Sequence, residues 1–462
     1  MKISKNLLIA VAVGGMTIFT TGCAKEEGCT DPLATNFDAD AEEDDGSCEY
    51  AVSSETAFSL TFGANGNEVA DPGITADNLV PANAVADGVA SSDSWFDNVT
   101  YRGAFGTTNW TDGWTLYSGY QPTPGATTVD VTGTIAADGE TVNWTADNTY
   151  VLDGLCFVND GGTLNIAAGT VIKAKAGQSE DASALVIARG GTINANGTAA
   201  APIVMTFEND PLDGSVSTTT RGEWGGLIVL GDASLNSAPG ETAIEGIPTN
   251  EPRGLYGGSN DAHNAGTITY VSIRHGGTDI GAGNEINGLT LGGVGTGTTI
   301  DYVEVIGNAD DGVEFFGGTV NSKHLLTVNC GDDSFDYDEG FRGKGQFWVT
   351  IQPTDGEGDR GGEHDGGTDP ETAQPYATPT IYNATYFGNG NGRTITFRDN
   401  AGGHYNNSIF VNFDKGIDIE DLPDGEDSYS RFEAGDLSLS NNTFFDIAAG
   451  SESFNIFTIT QP

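Results

Sequence analysis

From Val129 onward, the apolar residues of the chain fall in short runs and not at helical spacing. Short, mainly apolar runs of four or five residues, such as Ala184–Ile187, Ile203–Phe207 and Leu227–Leu230, alternate with segments rich in Gly, Asn and Asp. β-Branched residues fit a pleated strand, whereas Gly and Asn fit the turns between strands. The pattern predicts many short strands and an all-β fold.

Internal repeats indicate which all-β fold this is. The segment that starts at Ile268 (ITYVSI) recurs at Ile300 (IDYVEV), and the segment that starts at Asp310 (DDGVEF) recurs 22 residues later at Asp332 (DDSFDY). Such recurrence is typical of stacked coils, whereas a β-sandwich lacks it. We therefore predict a right-handed parallel β-helix over residues 126–462. Asparagines are expected to stack at equivalent corners of its coils: Asn383, Asn407 and Asn442.

Residues 51–125 have a weaker apolar pattern and form a separate region. Eight aromatic residues gather in its second half: Trp95, Phe96, Tyr101, Phe105, Trp110, Trp114, Tyr117 and Tyr120. Their rings suit stacking on sugars. An alternative is that they cover the open N-terminal end of the solenoid, which otherwise offers unpaired strand edges. We favour this cap.

The N-terminus has the pattern of a secretory signal. Two lysines precede the apolar run Leu7–Phe19, which is shorter than a membrane span, so residues 1–22 are interpreted as a signal peptide. Gly22-Cys23 resembles a lipobox, in which Cys23 carries lipid. Residues 24–27 (AKEE) resemble the signal that exports lipoproteins to the cell surface in some Gram-negative bacteria. We expect an outer-membrane lipoprotein exposed at the cell surface.

Residues 23–50 are expected to form an acidic tether closed by a disulfide between Cys29 and Cys48, which would order a segment poor in apolar residues. The segment resembles a disulfide-closed module that opens with GCTDP and ends with DDGSC. Hard oxygen ligands in a curled loop suit Ca²⁺, and the alternative is a solvated spacer. The predicted ligands are Asp38, Asp40, Asp44 and Asp45. Cys156 and Cys330 lie far apart and are expected to be buried and unpaired.

The net charge narrows the possible partners. The 462 residues include 66 acidic and 18 basic side chains, which gives a formal charge of −48. A chain this acidic repels nucleic acids, so nucleic-acid binding is excluded. The same charge attracts divalent cations and favours solubility.

Four motifs in order support a family resemblance. They are WGGLIVLG from Trp224, INGLTLGG from Ile286, DDGVEFFGG from Asp310 and GDDSFDYDEG from Gly331. Over roughly residues 95–420 the chain resembles a large, functionally uncharacterised family of secreted or surface β-helix lipoproteins. Its members often carry generic or "multidrug transporter" labels. The resemblance implies a surface β-helix, whereas transport lacks support because no membrane-length apolar segment follows the signal.

The acidic repeat is the strongest candidate for a local site. The 22-residue offset places Asp310 over Asp332, with the neighbouring acids stacked likewise. Like charges one coil apart, about 4.8 Å, are tolerated when they are protonated, well solvated or bridged by a cation. A Ca²⁺ site and a solvated acidic face are equally favoured, ahead of a catalytic cluster. The candidate ligands are Asp310, Asp311, Glu314, Asp332, Asp333 and Asp336.

An enzymatic interpretation is the alternative. Asp310, Asp332 and Asp333, followed by His364, are similar in order to the catalytic residues of β-helix polygalacturonases. Inverting hydrolysis needs carboxyls about 6.5–9.5 Å apart, a spacing expected between adjacent coils. A lyase needs a basic residue beside the metal, and Arg342 with Lys344 is the obvious pair.

These observations favour a lipid-anchored surface β-helix that is a binding or structural module for glycans, stabilised by Ca²⁺. A polysaccharide hydrolase or lyase is the first alternative, and a subunit of an envelope assembly is the second. The expected partners are the membrane, through the lipid on Cys23, and polysaccharide or envelope proteins.

Overall fold

The computed structural model describes residues 27–30, 36–41, 43–48, 53–178, 181–278, 285–367 and 370–461. They belong to two compact units, Met1–Ser53 and Ser54–Pro462. In the first unit, strands β1 (Glu27–Gly28) and β2 (Glu43–Asp44) pair in parallel. A disulfide joins Cys29 to Cys48, which confirms that prediction. Cys23 and the predicted signal peptide lie outside the described residues.

The second unit is a right-handed parallel β-helix, as predicted, whose coils build three faces that we call A, B and C. Face A contains the first parts of three long strands, β15 (Gly266–Arg274), β17 (Thr299–Ile306) and β19 (Asn321–Val328). Its other strands are β5 (Thr141–Trp144), β7 (Thr163–Ala167), β10 (Thr192–Asn196), β21 (Lys344–Gln346), β24 (Thr380–Tyr382), β27 (Gly403–Asn406) and β30 (Leu437–Ser440).

Face B contains the second parts of β15, β17 and β19. Its other strands are β4 (Thr127–Ala136), β6 (Asn148–Val158), β8 (Val171–Ala174), β11 (Ile203–Phe207), β22 (Val349–Ile351), β25 (Thr385–Phe387), β28 (Ile409–Phe413), β31 (Thr443–Ile447) and β3 (Glu68–Val69).

Face C begins with the ends of β4 and β6. It continues with β9 (Ala184–Ile187), β12 (Leu227–Leu230), β16 (Leu289–Gly292), β18 (Val313–Phe316), β20 (Phe335–Asp338), β23 (Arg360–Asp365), β26 (Arg393–Arg398), β29 (Lys415–Glu420) and β32 (Phe457–Thr460). The sequence repeats are in register, with Ile268 beside Ile300 and Glu314 beside Asp336.

The interior of the solenoid is apolar, and in its later coils it is largely aromatic. Trp348 stacks between Phe315 and Phe335, with ring centroids 5.3 and 4.8 Å apart. Cys156 and Cys330 are buried and unpaired, as predicted. The described residues include the helices α1 (Ser54–Ala64), α2 (Ser428–Ala434) and α3 (Ser453–Ile456) and a 3₁₀ turn at Pro252–Gly254. None of these helices is long and apolar enough to cross a membrane.

An insertion, residues 231–264, follows β12 without breaking the solenoid, because β12 still pairs with β16. It contains a short antiparallel pair, β13 (Thr242–Ala243) and β14 (Leu255–Tyr256). Its apolar side chains pack on the outside of face C, over β9 and β12. The insertion therefore covers the outside of face C at β9 and β12, and from β18 onward acidic side chains lie on that surface.

The aromatic region packs differently from the predicted N-terminal cap. Trp110 and Trp114 lie against Tyr302 and Tyr270, on the flank of the middle coils. Helix α1 covers the opposite, C-terminal end, where Phe58 stacks on Phe457 with centroids 4.9 Å apart. The cap prediction misplaced the tryptophans because each of these contacts joins residues more than 150 positions apart, which leaves no periodic signal.

We expect Phe58→Ala to lower the free energy of unfolding by about 3–5 kcal/mol, since the ring is buried against the last coil. Leu60→Ala in the same helix is the matched control, because its side chain is 65 % exposed. The control should change stability by less than about 0.5 kcal/mol. Denaturant unfolding of both variants measures the difference, and equal losses would contradict a capping role for α1.

Candidate acidic site and adjoining groove

The candidate ligands lie on the outside of face C, at β18, β20 and the turns before them. Strand alternation places Val313, Phe315 and Tyr337 inside the solenoid. Glu314 and Asp336, at the alternate positions, therefore point outward, and they are register partners on adjacent coils. The carboxylates meet because the 22-residue repeat stacks one acidic motif on the next.

Three overlapping groups of carboxylates converge, and within each group the oxygens lie within 4.8 Å of one another. The structure thus brings together all six acids predicted from the repeat. It adds Asp359, from the turn before β23. The groups are Asp310, Asp311 and Asp332; Asp311, Glu314 and Asp336; and Asp332, Asp333 and Asp359.

Burial and mutual repulsion raise the pKa of these carboxyls. Burial, with Glu245, Glu285 and Asp332 nearby, raises the pKa of Asp310 to about 7. Burial is also the largest cause at Asp311 and Glu314, where the charge of Asp336 adds to it and holds the pKa well above the usual range. The cluster therefore either holds protons or needs a bound positive charge.

The cations within reach neutralise only part of the cluster. Arg360 pairs with Asp333 and Asp359 at 3.2 and 3.0 Å. In the described part of the chain, no Lys or Arg pairs with the other five acids. The Oδ1 atom of Asp336 is buried without a hydrogen-bond partner there, as is Oδ1 of Asn287, whose amide group contacts Glu314. These acids can bind a metal ion, and an all-oxygen donor set suits Ca²⁺.

A groove of about 490 Å³ adjoins the acidic cluster on the same face. Asp359 and Arg360 belong to both, and the groove continues over β26, β29 and β32. The lining residues are Asp359, Arg360, Gly392, Arg393, Thr396, Phe397, Arg398, Asp414, Lys415, Asp418, Glu420 and Thr460.

Basic side chains form a column along this groove. Arg360 is the register partner of Arg393, and Arg393 is the register partner of Lys415. Arg393 lies 3.4 Å from Asp418, whereas exposed Lys415 has no ion pair among the described residues. With Arg398, four of the 18 basic residues of the chain line one groove. The sequence interpretation missed the column because Arg360, Arg393 and Lys415 come from successive coils at uneven intervals of 33 and 22 residues, without a repeated motif.

His364 does not belong to the site, so its proposed catalytic role is wrong. Glu363 and Asp365 bond to Arg398 on the outside of face C, and alternation therefore turns His364 inward. Its ring stacks on Tyr337 at 3.9 Å, and its Nε2 lies 2.7 Å from the hydroxyl of Tyr405. Burial lowers the pKa of His364 to about 3, which keeps the ring neutral.

We expect His364→Ala to destabilise the protein by about 2–5 kcal/mol, since it empties a buried position and leaves the Tyr405 hydroxyl without this partner. Denaturant unfolding measures the loss. Binding of Ca²⁺ by the folded variant should match that of the wild type, because the ring faces away from the acids. Unchanged stability with lost Ca²⁺ binding would contradict this placement.

The other catalytic arrangements also change. Asp310 and Asp332 each place one carboxylate oxygen within 4.8 Å of the other, a spacing at which both can bind one cation. The predicted lyase pair lies elsewhere, since Arg342 lies 3.2 Å from Asp261 and Lys344 pairs with Asp93. The basic residues beside the acids are instead those of the groove.

The N-terminal loop remains a predicted site. Asp38, Asp40 and Asp45 are exposed, and the side chain of Asp44 lies outside the described residues. Asp38 accepts a hydrogen bond from the amide of Asp40 at 3.0 Å, and Asp45 accepts one from Ser47 at 2.8 Å. Within the described residues, the convergent groups of acids lie in the β-helix.

Comparison with known proteins agrees with this architecture. The family profile of the pectate-lyase-like beta helix domain matches residues 133–460, which include the acidic cluster and the groove. Neither a curated protein nor a solved structure matches the chain. Because the profile covers well over half of the sequence, the chain belongs to the pectate-lyase-like β-helix family.

Proposed function

We propose that this protein binds an acidic polysaccharide along face C, with Ca²⁺ held by the acidic cluster. The proposal rests on one observation: the three groups of converging acids lie directly beside the column of basic side chains. The family membership is compatible with a polysaccharide-related role.

The basic column favours a polyanionic ligand. Arg360, Arg393 and Lys415 are stacked in register. The two arginines are paired with acids, whereas exposed Lys415 has no ion pair among the described residues and can bind an anionic group. A polymer that carries a carboxylate on successive sugars follows the direction of stacking. The strongly negative chain offers few other places for such a ligand.

A divalent cation reconciles the acidic cluster with an acidic ligand. Ca²⁺ takes six to eight oxygen ligands, so protein carboxylates and ligand carboxylates can share one ion. Glu314, Asp336 and Asp311 supply oxygens on the protein side. In this proposal the metal both relieves the buried charge and links the polymer to the protein.

We place this module at the cell surface. The lipobox-like Gly22-Cys23 and the disulfide-closed segment Cys29–Cys48 support a lipid anchor followed by an acidic tether, as in the surface β-helix lipoproteins that the chain resembles. Radiolabelled palmitate incorporation in cells tests the anchor. It should be lost in Cys23→Ser, and retained label would overturn lipidation at Cys23.

Equilibrium binding to polymers tests the proposed function. The mature protein should bind polygalacturonate or alginate in the presence of Ca²⁺, and bind neutral dextran weakly or not at all. Arg393→Gln with Lys415→Gln should weaken binding at least about tenfold, since two charge-assisted contacts are removed. Lys175→Gln is the control, because Lys175 pairs with Asp153 away from the groove. Binding that ignores Ca²⁺ and the groove variants would overturn the proposal.

Polysaccharide cleavage by a lyase reaction is the second candidate. Family membership and exposed Lys415, a basic group without an ion pair among the described residues, favour it. In such a reaction Lys415, as the free amine, would take the proton from the carbon next to the sugar carboxylate. The electron pair of that bond would form the double bond of the product, the bond to the leaving sugar oxygen would break, and solvent would protonate that oxygen. Ultraviolet absorbance of unsaturated products measures this activity. It should disappear in Lys415→Gln, and absence of product from the wild type would rule out cleavage of the polymer tested.

A further inference from the structure

We propose that a second cavity, at the corner between faces A and B, binds a neutral oligosaccharide. This site lies on another part of the solenoid from the acidic face and does not depend on the function proposed there. It is built from the aromatic region that precedes the β-helix and from one residue of each neighbouring coil.

In the middle and late coils, the residue at the corner between faces A and B has a left-handed backbone conformation. In three later coils the corner residue is an asparagine, Asn383, Asn407 or Asn441, with φ of 54–58°. The third is Asn441, not the Asn442 expected from the sequence. Asparagine tolerates this conformation, which explains its recurrence there.

In four earlier coils the same corner carries aromatic rings, although large side chains are strained in this conformation. The residues are Tyr270, Tyr302, His324 and Phe347, with φ of 48–61°. Their rings form a stack, with successive centroids 4.3, 4.1 and 4.8 Å apart. Asparagine would fit the corner with less strain, so the rings indicate a role beyond turning the chain.

A cavity of about 410 Å³ opens beside three of these four rings, and its volume falls within the range of small-molecule sites. Tyr302, His324 and Phe347 line it together with Tyr101 and Trp110, which pack against these rings. Tyr270 does not line it. Polar groups come from Asp97, Thr107 and Thr108.

A smaller cavity of about 180 Å³ lies next to it, lined by Trp95 and polar side chains that include Lys323 and Asp301. Two contacts join the cavities. Lys323 bonds to Asp97 at 2.9 Å, and His324 bonds to Asp301 at 2.7 Å. Each cavity therefore has a tryptophan and a carboxylate, an arrangement that suits two neighbouring sugar rings.

The lining selects an uncharged sugar. The faces of Tyr302 and His324 are already stacked on neighbouring rings, so these residues offer apolar ring edges to the C–H groups of a sugar. Carboxylate, amide and hydroxyl groups bond to sugar hydroxyls. Lys323 and Asp97 compensate each other as an ion pair, and Asp301 leaves a further negative charge that disfavours an anionic ligand. The chemistry thus differs from that of the basic column on face C.

Matched variants of two rings in this aromatic stack test the proposal. Tyr302→Asn and Tyr270→Asn each remove one ring and place asparagine at a left-handed corner, but only Tyr302 lines the cavity. The probes are cellotetraose, maltotetraose and mannotetraose, observed by saturation-transfer NMR on the mature protein. Thermal unfolding verifies that each variant is folded.

At least one probe should bind, with affinity lowered at least about tenfold in Tyr302→Asn and changed less than about twofold in Tyr270→Asn. Asp97→Asn, an exposed and isosteric change, should also weaken binding, whereas Lys415→Gln should leave it unchanged. The proposal is overturned if none of the three probes binds, or if the two tyrosine variants behave alike.

Discussion

Adding Ca²⁺ at a hundredfold excess over its Kd should raise the free energy of unfolding of the metal-free protein by about 2.7 kcal/mol, and Asp336→Asn should abolish most of that gain. The gain is expected because the ion binds only the folded cluster. Asp336 contributes a buried oxygen without a partner among the described residues and faces Glu314 across the coils. Thermal or denaturant unfolding with and without Ca²⁺ measures it.

The same variant should have the opposite effect when no metal is present. Asparagine has the shape of aspartate without its charge, so Asp336→Asn removes repulsion from Glu314 and Asp311. The metal-free variant should therefore be more stable than the metal-free wild type. Asp147→Asn, at an exposed site outside the cluster, should change neither the stability of the metal-free protein nor the gain on adding Ca²⁺. Loss of stability in both states would indicate a packing role and contradict a cation site.

The second large effect is an unusual dependence of the protein's stability on pH. The pKa of Asp310 and of Asp338 is raised to about 7, and that of Asp399 to about 6, in each case chiefly by burial. A carboxyl whose pKa is raised by folding binds its proton more tightly in the folded state. Its stabilising contribution is complete below pH 4 and is lost as the pH rises through 6 and 7.

The metal-free protein should therefore be more stable at pH 5 than at pH 8, by on the order of several kcal/mol when the raised carboxyls act together. Acids with a lowered pKa, such as Asp355 beside Arg221, change the free energy of unfolding only below about pH 4. They therefore do not alter the expected difference between pH 5 and pH 8. Ca²⁺ should remove the part of the difference that comes from its ligand carboxyls, such as Asp310, and leave the part that comes from Asp338 and Asp399. Unfolding in chelator-treated buffers at pH 5 and pH 8 measures this difference. Greater stability at pH 8 without metal would contradict the claim that burial raises the pKa of these carboxyls.

The sequence predicted those features that repeat as motifs. The DDGVEF and DDSFDY segments share a 22-residue offset, and the register of Glu314 with Asp336 confirms it. Six of the acids in the cluster followed from that offset alone. The cysteine spacing likewise predicted the disulfide between Cys29 and Cys48.

Other features were missed for identifiable physical reasons. The alternation Glu363-His364-Asp365 turns the histidine inward, a consequence of strand geometry that similarity to polygalacturonases hid. The basic column uses one residue per coil at intervals of 33 and 22, too sparse to detect as a repeat. The contact of Phe58 with Phe457 depends on tertiary packing across the length of the chain.

Calorimetric titration of Ca²⁺ into metal-free mature protein tests the central claim most directly. The wild type should bind Ca²⁺ at neutral pH, and Asp311→Asn with Asp336→Asn should lose that binding. Asn at position 311 retains the oxygen that accepts a hydrogen bond from the amide of Asp333, so the fold is preserved. Asp38→Asn with Asp40→Asn, in the N-terminal loop, should retain the solenoid site. Absence of binding, or binding that only the loop variant removes, would contradict a cation site on the acidic face.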